Sequence, residues 1–343
     1  MQCSDLNLKA PRALAARSAA LDFCVETVVC IPTFRRPQHL QQTLESLALQ
    51  RTGRGFAVVI VENDATGQEG AKVAAAFLED QDLHDQGPQD KGLQGICLVE
   101  PRQGNCHAIN AAFETALAAF PSAAFLLMID DDEIASPDWL ERMVAVAQAT
   151  GADLVGGPVV PNFADERRAA LSHHPAFRPP YDISGPVPII FGSGNCLITR
   201  AVFERLDEPT FDLRFNFLGG GDLDFFTRCR RSEMTFHWAA DAVITETVPP
   251  SRVRSSWLAL RGLRIGAINY RVQHKAARTV WLRVRLLLKM LALFPLSLHR
   301  ATLLYIIERH AIIAMHPIAV ATGGALAAIG VELQPYKASK IVP

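Results

Sequence analysis

The chain has 343 residues, enough for one large domain or two modest ones around a substantial core. Its 34 Lys and Arg nearly cancel its 35 Asp and Glu, and a net charge of −1 excludes a protein that coats nucleic acid through global positive charge. An apolar fraction of 49% excludes an acidic disordered chain, and Gly and Pro without period exclude a collagen-like one.

The charge is unevenly spread. Between residues 251 and 310 lie twelve basic side chains, from Arg252 to Arg309, against the single acid Glu308. That stretch carries about +11, so the remainder of the chain carries about −12. The seven cysteines include no CxxC pair and several lie in apolar runs, which predicts buried reduced thiols rather than a disulfide frame or a zinc site.

In chain order, residues 1–24 hold Lys9, Arg12 and Arg17 among alanines and no continuous apolar stretch. They read as a poorly ordered leader, not a secretion signal. A β-branched run at 25–31 predicts a strand ended by Pro32, and Leu40, Leu44 and Leu47 predict a helix over 38–49 with Pro37 in its first turn. A second strand is expected at 56–61, a helix at 68–80, a mobile polar loop at 81–95 and a third strand at 96–100. A helix over 105–120, a strand at 124–129, a helix over 137–150 and a strand at 154–160 follow. This alternation predicts an open, mostly parallel α/β sheet with helices on both faces. In such sheets ligands bind beyond the carboxyl ends of the strands, where Glu62–Asp64 and Asp130–Asp132 fall.

Chemistry concentrates in three segments. Asp130, Asp131, Asp132 and Glu133 follow an apolar strand, and adjacent carboxylates raise one another's pKa unless a cation neutralises them. Hard oxygen ligands suit Mg²⁺ or Mn²⁺ bridging to phosphate, and on extended backbone Asp130 and Asp132 face one side. A solvated turn capping the next helix is the plainer alternative. Gly219, Gly220 and Gly221 precede Asp222, whose carboxylate suits a general base on a hydroxyl, or equally a helix N-cap. The stretch from Arg102 to Asn110 could set a guanidinium and helix N-terminal amides near a diphosphate, with His107 on a helix face.

Taken in order, IPTFRRPQHL, VENDATG, RQGNCHAIN, IDDDEIASPDWL and GGGDLDFF resemble family 2 glycosyltransferases over residues 26–270, about 70% of the chain. The nearest subgroup is that of bacterial exopolysaccharide enzymes of the succinoglycan type. The resemblance implies a GT-A fold, a nucleotide-diphosphate sugar donor (a UDP-sugar foremost), Mn²⁺ or Mg²⁺, and inversion at the anomeric carbon. It sets Pro32 and Thr33 against the nucleotide, Glu62 and Asn63 at the base and ribose, and Arg102 and Asn110 along the donor. Asn63 stands where the family often has Asp. Asp130 and Asp132 match the DxD motif, with Asp132 the preferred metal ligand, Asp131 on the donor, and Asp222 the catalytic base. The acceptor side falls to Gly220, Gly221, Asp224 and Trp257, and Gly221 replaces a frequent Glu.

Beyond residue 250, Arg252, Arg254 and Arg261 alternate with Trp257 and leucines, a pattern suited to phosphates of a lipid-linked acceptor or of a bilayer. Residues 280–307 read as an interfacial amphipathic helix. Residues 311–331 carry no formal charge and are long enough to cross a bilayer, though His316, Pro317, Gly323 and Gly324 weaken that reading. Two helices packed on the body with a solvated basic face are the alternative. The expected organisation is therefore a leader at 1–24, a GT-A catalytic domain at 25–250 and a membrane-associating helical region at 251–335. The expected place is the cytoplasmic face of a bacterial membrane, held peripherally or by one span. The expected partners are the donor, a glycan or lipid-linked acceptor and the membrane surface. A metal-dependent sugar nucleotidyltransferase and a non-catalytic nucleotide-sugar-binding subunit are the competing functions.

Overall fold

A computed structural model of the chain describes residues 11–84 and 92–331. Parts of the expected leader (1–10), of the polar loop (85–91) and of the C-terminal region (332–335) lie outside the described residues.

The chain divides into two units. The first takes residues up to 159 with 180–216 and 221–246, and the second takes 160–179, 217–220 and everything from 247 on. The first unit ends at 246, where the sequence predicts a catalytic domain ending at 250, and two segments within that range, 160–179 and 217–220, belong to the second unit.

In the first unit β1 (Ala13–Arg17), β2 (Thr27–Thr33), α1 (Pro37–Ala48), β3 (Phe56–Glu62), α2 (Glu69–His84) and β4 (Gln94–Val99) follow one another. Then come α3 (Asn105–Ala119), β5 (Phe125–Met128), β6 (Glu133–Ala135), α4 (Trp139–Thr150) and β7 (Leu154–Gly156), and the chain leaves the unit within β8 (Val159–Phe163). It returns with β9 (Gly185–Pro186), β10 (Cys196–Thr199), α5 (Arg200–Arg205), α6 (Gly221–Arg231) and β11 (Phe236–Trp238), and departs again within β12 (Ile244–Val248).

The large sheet runs β1-β4-β3-β2-β5-β10-β7-β11-β9, with its centre β4-β3-β2-β5 parallel. Every residue of β2 and all of β3 except Phe56 is buried, as expected for β-branched strands covered on both faces. Leu40, Leu44 and Leu47 of α1 are fully buried, each contributing about 2 kcal/mol of apolar transfer. Asn63 N–H donates to the Thr33 carbonyl on the β3 side of β2, and Ile129 N–H to the Cys30 carbonyl on the other. Two residues beyond Cys30, Pro32 therefore turns its missing N–H toward β5, which has already ended at Met128. This is why β2 continues to Thr33 instead of stopping at the proline.

Two expectations change. Residues 13–17 of the expected leader form an edge strand, with Arg17 opposite Ile96 and Ala13 opposite Val99 on β4. Arg12 beside it is held by Glu100 and Glu114 at 2.9 and 2.8 Å, which fixes the entry to this strand. The single strand expected at 154–160 is split between β7 in the large sheet and the start of β8 in the small one, and β10 runs antiparallel between β5 and β7, Cys196 facing Met128 on one and Gly156 on the other. Four residues after a glycine-rich loop give too short a pattern to read as a strand.

The second unit is helical: α7 (Ser255–Ala276), α8 (Val280–Glu308) and α9 (Ala311–Ala328). Leu171, Phe177, Val253, Leu258 and Ile313 form one of its cores. The uncharged stretch expected over 311–331 is α9, three residues shorter.

Candidate active site

The acidic motif emerges where β5 ends. Thr33 Oγ1 donates to Asp131 Oδ2 at 2.8 Å, and the Phe34 N–H reaches the same oxygen at 3.2 Å. Arg36 spans the motif, donating to Asp131 Oδ1 at 3.1 Å and to Asp132 Oδ2 at 2.6 Å. Glu133 turns back, its carboxylate accepting from the Asp130 N–H at 2.8 Å. Across the β6–β12 pair Glu133 stands opposite Glu246.

Burial pushes the Asp130 carboxyl up to about 8, and Asp132, Asp131 and Glu246 push the same way while Arg36 opposes them. Burial likewise raises Glu133 well above the usual carboxylate range, and Asp130 adds to it. An excess of buried hard-oxygen donors over positive charge fits a divalent cation. Among the described residues no three metal-ligating side chains are gathered in one place, and the hard-oxygen donors the strand end offers are the carboxylates of the acidic motif.

Asp222 lies half-buried in the first turn of α6. The thiol of Cys196, at the start of β10, is raised by burial and then by Asp222, Asp130, Cys30 and Glu133 in turn. Two glycines leave room for side chains here. A Cβ at Gly221 would come within 2.8 Å of Cys106 Sγ, and one at Gly194 would press on the Glu133 carboxylate at 2.5 Å.

Other expected residues are placed differently. Glu62 is fully buried and accepts from the N–H groups of Asp64, Gly70 and Ala71, which ties β3 to the first turn of α2. Asn63 donates to the carbonyls of Glu100 and Arg102 and accepts from the Gly104 N–H, so its amide is spent on the loop before α3. Arg102 grips Glu100 with two nitrogens, at 2.8 and 2.7 Å. Burial raises the Glu100 carboxyl, yet Arg102 and Arg12 outweigh it and carry it down to about 2. Asn110 brackets the Phe211 backbone, donating to its carbonyl at 2.9 Å and accepting from its N–H at 2.7 Å. Arg102 and Asn110 also line a cleft of about 440 Å³ with Arg12, His107, Phe211 and Arg214, which includes none of the acidic motif.

Asp224 is buried and bonded at 3.0 Å to Arg228, whose other nitrogens hold the carbonyls of Glu208 and Thr210. Pro32 is buried at the end of β2. Gly220 has φ +85°. Trp257 belongs to the second unit, stacked on Phe177 and carrying Arg261 at 5.8 Å from its ring.

Sequence reasoning missed three residues. Arg36 carried a signal, standing three residues after the strand-end Thr33 and before a helix-starting proline. Asn216, which accepts from the Cys106 N–H and donates to the Gln103 carbonyl, carried none. Nor did Asn195, which joins Trp139 Nε1 to the carbonyls of Pro158 and Ala242.

An open sheet with a parallel centre, an acidic strand end and a carboxylate on a glycine-flanked helix start define a GT-A type transferase fold. The chain belongs to glycosyl transferase family 2: it matches that family over residues 28–207 and glycosyl transferase family group 2 over 125–326. It is 29% identical to the succinoglycan biosynthesis protein ExoM of Rhizobium meliloti over 271 residues, 75% of this chain and 78% of that one. It is 30% identical to glycosyltransferase AglE of Haloferax volcanii over 133 residues, 38% of each chain. Among solved structures it resembles the mannosyltransferase PcManGT of Pyrobaculum calidifontis in complex with GDP-Man and Mn²⁺, with a TM-score of 0.53 at 16% identity over 90% of this chain and 89% of that one.

Proposed function

We propose that this glycosyltransferase is an inverting hexosyltransferase of surface-polysaccharide synthesis. It moves a sugar from a nucleotide-diphosphate sugar, a UDP-sugar foremost, to a hydroxyl of a glycan or lipid-linked acceptor at the cytoplasmic face of a bacterial membrane. The observation that carries the reading is the acidic strand end, where Thr33 and Arg36 reach Asp131 and Asp132 from the end of β2 while the Glu133 carboxylate turns back onto the Asp130 N–H. Likeness to a succinoglycan biosynthesis protein supports the pathway class, and the mannosyltransferase bound to GDP-Man and Mn²⁺ supports a nucleotide-sugar donor with a divalent ion.

In this mechanism the Asp222 carboxylate takes the proton of the acceptor hydroxyl as its oxygen attacks the anomeric carbon, and the bond to the diphosphate breaks. A single displacement inverts the centre, so no second carboxylate acts as nucleophile. A Mn²⁺ or Mg²⁺ ion held by Asp132 and Asp130 would offset charge developing on the leaving diphosphate. Arg36, which meets Asp131 and Asp132 at the end of the strand, serves the same purpose.

The test is thermal stabilisation of the purified full chain by a panel of nucleotide-sugars with and without Mn²⁺, followed by turnover of whichever stabilises. Specific ligands raise the melting temperature by mass action. A metal-dependent rise with at least one nucleotide-sugar is expected, and none with any of them sinks the reading.

A further inference from the structure

The second unit leaves a long helix largely uncovered, and its neighbours say how deep that helix can sit. Helix α8 touches the rest of the unit along one ridge, through Leu286, Met290, Ser297 and Ala301. Leu286 and Met290 pack with Tyr270 of α7, against Leu293 of α8 itself and Ala327 and Ala328 of α9. The opposite face carries Trp281, Val284, Leu288, Leu291, Leu298 and Ile306, all exposed, at the spacing of one helix stripe. By the same spacing Arg285, Lys289 and Arg300 border this stripe on one side and Arg283 on the other, with no acid before Glu308. Apolar centre and basic flanks are the pattern of a helix lying in the plane of an anionic leaflet.

By length and composition both α8 and α9 could instead cross a bilayer. Their attachment to α7 argues against it. A Cβ on Gly266 would run into the Val320 carbonyl, one on Gly323 into the Leu263 carbonyl, and one on Gly262 would lie 2.8 Å from the Ala319 side chain. Helix α9 is therefore seated on the α7 backbone itself, from the core that Ile313 shares with Leu258 to the cluster of Tyr270 against which Ala327 packs. Over that length α7 carries Arg261 and Arg264, and Arg271 follows. A spanning α9 would drag these guanidinium groups toward hydrocarbon or break the glycine seam.

We propose that α7, α8 and α9 form a monotopic platform that enters one leaflet of an anionic membrane through the Trp281–Ile306 stripe of α8, and that neither apolar helix spans. This rests on the membrane-associated reading above and specifies its geometry.

Depth measurement on the full-length protein tests it. Cys3 and Cys24 are replaced by Ser, the other cysteines of the described residues being buried. Single cysteines then go in turn at Val284, Leu291 and Leu298, seven residues apart on the stripe, each carrying a nitroxide. On sealed vesicles of phosphatidylcholine with about one third phosphatidylglycerol, a helix in the interface plane puts all three labels at one depth, about 5–10 Å below the headgroups. A spanning α8 separates successive labels by about 10 Å along the normal, which overturns the proposal. A C-terminal tag digested by protease added outside the vesicles agrees with the proposal, and a protected tag means that α9 crosses and overturns it. Replacing Arg285, Lys289 and Arg300 together by Gln should weaken binding to these vesicles about a hundredfold. Unchanged binding removes the anionic leaflet as partner. Protein that transfers sugar in detergent yet binds no vesicles defeats the platform while leaving the catalytic reading intact.

Discussion

In the first unit the carboxylates of Glu62, Glu100, Asp131, Glu133 and Asp224 are all buried, whereas in the second Trp281, Leu291 and Ile307 stand about seven-tenths exposed. The burial rule fails in opposite directions. Buried charge is tolerated only with partners, and each of these carboxylates has them, in Arg12, Arg102, Arg36, Arg228 or backbone N–H groups. Around Asp130 and Glu133 carboxyl groups crowd one another, and burial raises both. Helix α8 presents the converse, exposed apolar surface. The two units thus depart from the rule with opposite chemistry, one in buried carboxylates and one in exposed hydrocarbon.

The largest expected effect tests the first unit. Asp222→Asn should keep nucleotide-sugar affinity and lose about 1,000-fold or more in turnover, and full turnover would remove Asp222 from the base role. Next, Asp132→Asn should abolish most of the Mn²⁺-dependent rise in melting temperature with donor. A variant stabilised by Mn²⁺ and donor as well as the parent would contradict the metal assignment.

Glu100 sharpens the contrast between paired and unpaired charge. Glu100→Gln leaves Arg12 buried with half its partners and should cost about 3 kcal/mol in chemical unfolding at neutral pH. The sign of its pH dependence follows from a folded pKa depressed to about 2. The stabilisation is present above the unfolded carboxyl value near 4.3 and is lost as pH falls from there through about 2. The variant should therefore differ from the parent at pH 7 and converge with it in strong acid. A constant gap across that window would mean the carboxylate's charge is not what stabilises.

The smallest effect belongs to the second unit. Leu288→Ser with Leu291→Ser should change unfolding free energy by less than about 0.5 kcal/mol per site, since both side chains are exposed, while vesicle binding drops. A large loss of stability would show that the stripe is covered in the folded protein.

Much of the first unit was legible because its signals are local. Strand and helix periods placed β2, α1, β3 and α3 within a few residues, and the acidic motif and Asp222 stood out by residue type and flanking glycines. The roles of Glu62, Asn63 and Asn110 were not legible. Whether an amide faces a ligand or a backbone carbonyl depends on a loop some 40 to 100 residues away, such as the one that brings Phe211 to Asn110. The same holds for β10, whose neighbours β5 and β7 are set by pairing rather than by its own four residues.

By itself the sequence determined the α/β class, the family and the uneven charge, with acids in the body and about +11 between residues 251 and 310. These are properties of composition and short-range pattern, which need no partner to be expressed. Tertiary structure decided which carboxylates are consumed inside the fold, which of them Arg36 reaches, and how α9 is seated on α7. Those outcomes depend on which backbone groups come within bonding or contact distance, a quantity that exists only once the chain has closed on itself.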